Sequence, residues 1–242
     1  MKIITLILLC TISLSAAAQE KTNKNSKWEK MKDYMPLMTR GAGVSFQQFK
    51  GLNNRIAGFP QYAALHNQMW TLSLGSMHVI KNFVSQLSVT AGSSLTGHPD
   101  EKSSTMRFLS GGFDMGYDVI PADRVMLYPL VGIGAENYHA IFYKDVNAVT
   151  FNDVANSPNV QNNIRSVKFI NTFFTYRLGL GVAFKEPKGN HTIGLQAGYT
   201  AGFKDKSWKS RENQTLAGAP TDGLKRFSVS LVLTGDMMMG KK

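Results

Sequence analysis

Residues 169–203 run FINTFFTYRLGLGVAFKEPKGNHTIGLQAGYTAGF. Taken alternately, Ile170, Thr172, Phe174, Tyr176, Leu178, Leu180, Val182 and Phe184 form one series. Phe169, Asn171, Phe173, Thr175, Arg177, Gly179, Gly181 and Ala183 form the other. Beyond the turn at 185–190 the alternation resumes. Ile193, Leu195, Ala197, Tyr199, Ala201 and Phe203 oppose Thr192, Gly194, Gln196, Gly198, Thr200 and Gly202. Successive strand residues point to opposite faces, so the stretch predicts a hairpin with one apolar face and one small or polar face. Both strands exceed the roughly five to six residues usual in soluble sheets. Long strands dressed in this way predict a membrane β-barrel with lipid outside and a packed lumen inside.

The same pattern extends over the chain. Strands are expected near 39–49, 69–79, 83–91, 105–119, 125–142 and 225–237, which with the hairpin makes an all-β, eight-stranded antiparallel up-and-down barrel over 39–238. Ala42, Val44 and Phe46, then Trp70, Leu72 and Leu74, then Phe227, Val229, Leu231 and Leu233 are read as outward. Connections after odd strands are long and those after even strands short, the rhythm of a barrel with long outer loops and short periplasmic turns. The connections near 50–65 and 143–165 read as loops. Pro129 should mark a bulge or a strand start, because proline cannot donate to a ladder. Trp70, Tyr138, Phe142, Phe203 and Phe227 are expected in an outer aromatic girdle, and Phe83, Tyr117, Tyr128 and Phe184 in an inner one. A lipocalin-like soluble barrel would need its large apolar residues inside. Here Asp114, Glu136 and Arg177 lie in the smaller, polar series, and a cation at mid-depth in lipid costs ~2–4 kcal/mol.

Lys2, the apolar run from Ile3 to Leu14 and Ala16–Ala18 predict a cleaved secretory signal over 1–18. A Lys-rich periplasmic leader follows over 19–38, where Trp28, Met31 and Met35 have the spacing of a short amphipathic helix. Cys10 is the single cysteine, so the processed chain has no disulfide or thiol chemistry. No later run approaches the ~20 apolar residues of a helical span. The net charge of +11 sits in loops and rims with no basic helix face, which argues against nucleic acid and for an anionic membrane surface.

No nucleotide loop, zinc-protease, esterase or cysteine-metal motif occurs, and no cofactor is expected. The five histidines, His66, His78, His98, His139 and His191, share no ligand spacing. Asp114, Glu136 and Arg177 are expected to form an ion-pair network filling the lumen, since eight strands enclose only enough room for side chains. Lys204, Lys206, Lys209, Arg211, Lys225 and Arg226 are expected to make a cationic outer rim contacting lipopolysaccharide phosphates. Two other classes stay open. A lipid-modifying enzyme could use His139 beside Glu136, and a narrow small-solute channel could run through the lumen.

Phe108–Tyr117, Tyr128–Gly134 and Tyr176–Gly181 give the chain its resemblance to the small outer-membrane barrels of Bacteroidetes-type bacteria, within the wider OmpA/OmpX-like group. The resemblance implies a monomeric, porin-like cell-envelope protein of the outer membrane, not an enzyme, inserted by the outer-membrane assembly machinery. Such barrels often end on an aromatic residue. This chain ends Met237-Met238-Met239-Gly240-Lys241-Lys242, which moves the expected assembly signal to 227–233 or makes it divergent.

Overall fold

The computed structural model describes residues 36–235 apart from 121, 123, 147, 148 and 187–190. The expected signal, the leader through residue 35 and the segment 236–242 lie outside the described residues. In chain order the elements are β1 (Leu37–Gln47), α1 (Lys50–Ala57), β2 (Gln68–Ile80), β3 (Phe83–Ser93), β4 (Ser103–Tyr117), β5 (Val125–Tyr143), α2 (Phe151–Asn156), α3 (Pro158–Ile164), β6 (Val167–Lys185), β7 (Thr192–Gly202), the two-residue strands β8 (Lys206–Ser207), β9 (Lys209–Ser210) and β10 (Thr221–Asp222), and β11 (Lys225–Gly235). Among the described residues no helix is long and apolar enough to cross a membrane.

The eight long strands pair antiparallel in the order β5-β4-β3-β2-β1-β11-β7-β6, and β5–β6 pairing closes the sheet. β1 begins at Leu37, two residues inside the segment read as leader. Pro129 makes no bulge. The β5–β6 ladder passes through it opposite Leu180 without a break, while the β4–β5 ladder ends at Gly116–Leu130. Pro129 thus sits one step past the last β4 pair, where its missing N–H leaves that ladder intact.

Alternation sorts the faces. Outward, every long strand exposes large apolar groups, among them Leu72 at 69%, Ile133 at 63% and Phe174 at 65%. Outward charges stand toward the ends of the strands: Arg40 near the turn end, Arg107 and Lys225 near the loop end. The Arg40 guanidinium leans to Met38 Sδ at 3.8 Å, toward the turn end. Trp70, Phe203 and Phe227 are exposed near the loop end, and Phe83, Tyr117 and Phe184 near the turn end. The other expected girdle members, Tyr128, Tyr138 and Phe142, are buried. Each is even-numbered on β5, as are inward Leu130 and Glu136, and the period of two overrides any preference of the ring for an interface.

The lumen is apolar at both ends. Met77, Val84, Met126, Tyr128, Leu130 and Ala183 fill the turn end. At the loop end, inward Met69, Phe108, Tyr138 and Phe173 pack beneath Phe49, α1 and Trp208. Phe49 meets the Tyr138 ring edge-on at 5.0 Å and Trp208 at 5.2 Å. Such contacts contribute ~0.5–1.5 kcal/mol each beyond their buried area.

Two connections read as loops contain helices. In α1, Leu52 and Ile56 are one helical turn apart and both buried. Phe49 at its N-cap position offers no side-chain bond. Asp222, 170 residues further on, supplies the missing acceptor: Gly51 N–H donates to Oδ1 at 2.7 Å and Leu52 N–H to Oδ2 at 2.9 Å. The Trp208 indole N–H donates to the same Oδ2 at 2.8 Å. A carboxylate is well placed there, because the first helical N–H groups have no intrahelical partner and carry partial positive charge. Short α2 and α3 start from Thr150 and Ser157 caps; Thr150 Oγ1 and N–H both donate to Asp153, holding its carboxyl below the usual range. β9 pairs with Phe169–Ile170 and covers part of the edge of β6 that rises above β7.

Asp222→Ala should release α1 while leaving the barrel closed. Amide hydrogen exchange at Gly51 and Leu52 is expected to accelerate by roughly five- to thirtyfold, from the ~1–2 kcal/mol of a lost helix cap. The β1–β11 ladder amides should keep their protection.

Candidate functional site

The strands hold two ion pairs inside the barrel. Arg177 Nη1 on β6 reaches Asp114 Oδ2 on β4 at 2.8 Å, passing over β5. Asp114, Gly132 and Arg177 stand in one register row, and a Cβ on residue 132 would overlap Asp114 Oδ1. The glycine is therefore the gap through which the charges meet. Nearer the loop end, Arg226 Nη2 on β11 donates to Glu136 Oε1 on β5 at 2.5 Å. The Tyr138 hydroxyl donates to Glu136 Oε2 at 2.8 Å, and the guanidinium lies 4.7 Å from the centre of the Phe108 ring. Between the pairs is a polar cavity of about 50 Å³ lined by Thr71, Ser73, Gln86, Gln196, Arg177 and Arg226. That is room for one or two waters at ~30 Å³ each.

The three residues singled out for the lumen all face it, but they do not make a single cluster. Asp114 takes Arg177, and Glu136 takes Arg226. Arg226 is a correction. Expected at the lipid-contacting rim, it is 3% exposed and lies inside the barrel. The reason is parity: Lys225 and Phe227 face out, so Arg226 faces in with Ser228 and Ser230. That signal was present in the alternation of residues 225–234. Of the remaining rim cations, Lys204, Lys206, Arg211 and Lys225 are exposed, whereas Lys209 is half-buried and donates to Asn213 Oδ1 at 3.0 Å.

At the rim an open cleft of about 680 Å³ lies between the end of β1 and the last loop. Phe46, Lys50, Asn67, Asp205 and Lys225 are among its lining residues. The imagined pair of Glu136 and His139 does not exist: Glu136 is buried inward and His139 is exposed on the opposite face of β5. Among the described residues no three His, Cys, Asp or Glu side chains gather to hold a metal ion.

Removing one partner strands a buried charge. Arg226→Leu is expected to lower the unfolding free energy by ~3–5 kcal/mol, and pairing it with Glu136→Leu should recover much of that loss. Arg177→Leu should cost less, since Arg177 keeps 20% exposure. Urea unfolding of the detergent-folded protein measures all three.

No family model and no curated protein matches the chain. Solved structures similar to it are small barrels. Neisserial surface protein A is 10% identical, with 83% of this chain and 96% of that one covered at a TM-score of 0.48. OprG, an outer membrane protein of Pseudomonas aeruginosa, is 10% identical, covering 83% and 95% at 0.43. Ail, the attachment invasion locus protein of Yersinia pestis, is 11% identical, covering 81% and 97% at 0.40. The fold rests on the chain's own closed ladder.

Proposed function

We propose that the chain is an integral outer-membrane barrel with a structural or surface-interaction role, its long loops outward and its short turns toward the periplasm. The observation that carries this reading is the uncovered apolar belt on all eight long strands. It far exceeds the few hundred Å² of contiguous apolar surface that soluble monomers expose. Closure of the eight-strand ladder also leaves the belt without an open sheet edge, as a hydrocarbon surround requires. The narrower kinship with Bacteroidetes-type small barrels rests on the sequence pattern alone, as does insertion by the assembly machinery.

The filled lumen favours a non-conducting wall element over a solute channel. Apolar layers close both ends and ion pairs occupy the space between. The opposed faces of Glu136 and His139 weigh against the lipid-modifying reading that relied on them. Lys204, Lys206, Arg211 and Lys225, all exposed at the loop end, support contact with anionic outer-leaflet phosphates. Each such cation contributes ~1 kcal/mol near an anionic surface.

In membrane fractionation the protein should stay with the outer membrane and show heat-modifiable gel mobility. A soluble folded monomer would refute the reading. Planar bilayers should record no single-channel steps from it. Charge reversal of Lys204, Lys206 and Arg211 is expected to reduce co-purified lipopolysaccharide severalfold, measured by phosphate assay. Unchanged retention would remove the loop contact.

A further inference from the structure

The outer wall of β1–β3 is not uniformly bulky. One register row runs Leu231, Ala42, Leu72, Ala91, Leu109, and the next toward the loop end runs Val229, Val44, Trp70, Ser93, Arg107. Small Ala42, Ala91 and Ser93 beside tall Trp70 and Leu72 leave a hollow of about 590 Å³ in the wall. Leu95, 70% exposed, borders it. The hollow opens onto the apolar belt. Its loop-end corner is marked by Arg107, which pairs directly with the lining residue Ser93 and is exposed. Arg107 forms no ion pair among the described residues, although such pairs form elsewhere in the barrel.

The geometry points to a specific lipid site: the hollow takes one acyl chain, and Arg107 takes the phosphate of a net-anionic lipid head group. The inference rests on the reading of the belt as lipid-facing and adds a particular seat to it. Water gains little in a hollow lined mostly by alkyl and indole groups, whereas a flexible chain can fill it and keep dispersion contact along the wall. A guanidinium at the head-group level binds phosphate through two parallel N–H bonds, which a zwitterionic head with its own ammonium competes for less well. The hollow lies on the wall from β11 through β3, and its cation, Arg107 on β4, is not one of the last-loop basic residues.

Trp70 makes the site measurable. The chain has Trp28, Trp70 and Trp208, and Trp208 is 1% exposed. In the full chain carrying Trp28→Phe, lipid-borne quenchers therefore read Trp70. The protein is reconstituted in phosphatidylethanolamine vesicles doped with acyl-brominated phosphatidylglycerol or, separately, acyl-brominated phosphatidylethanolamine. The glycerol lipid is expected to quench Trp70 at about fivefold lower mole fraction, the worth of one cation near an anionic head group. Arg107→Gln should abolish that preference while leaving quenching itself intact. Ala91→Phe, on the same outward face, should fill the hollow and weaken the high-affinity component for both lipids. Equal quenching by the two lipids, or a preference that survives Arg107→Gln, overturns the lipid site and leaves the barrel in the membrane. Absence of quenching by either lipid overturns the membrane reading as well.

Discussion

In a closed sheet each side chain has two places to go, and the parity of its position decides which. The eight long strands leave no edge at which a misfit could escape. One residue of slippage in β6 would carry Arg177, Thr175 and Phe173 outward and Leu178, Tyr176 and Phe174 inward together. That all-or-none consequence is why register is so tightly specified where the two faces differ. It also explains why ring size and charge had so little say at individual positions. Tyr138 and Arg226 went inside because their neighbours had to stay out.

Given that constraint, the interior must accept whatever polar groups parity delivers. It does so by pairing them with groups from other strands. Asp114 and Glu136 each meet an arginine from another strand, and Gln86 accepts from Gln196 Nε2 at 3.3 Å. Buried ion pairs of this kind add little net stability over a well-packed apolar substitute. Their value lies in specificity: a shifted strand would leave two charges stranded. Apolar layers lie above and below the pairs.

The strand pattern, and with it the closed barrel, was legible because a period of two is a local signal. Connections were legible in length but not in content. The Leu52–Ile56 spacing of α1 is a single helical turn, too short to stand out in an 8-residue helix. Thr150-x-x-Asp153 and Ser157-Pro158 were start signals within an Asn-rich stretch, outweighed there by its lack of periodicity. The ion-pair partners were half legible. Facing is local and could be read, but which charge each one meets depends on register between strands distant in sequence. Asp222 was the least legible. Its role depends on a helix that was not foreseen, whose first turn lies about 170 residues earlier.

That same aspartate has a bearing on how the protein is completed. α1 follows β1 and Asp222 precedes β11, so the two partners are carried on the strands that form the seam between the beginning and the end of the cylinder. Before those strands zip together the carboxylate and the helix start belong to unconnected parts of a growing sheet. The latch over the mouth therefore bridges the closing seam, so a shut lid and a joined β1–β11 ladder bring together the same two ends of the chain.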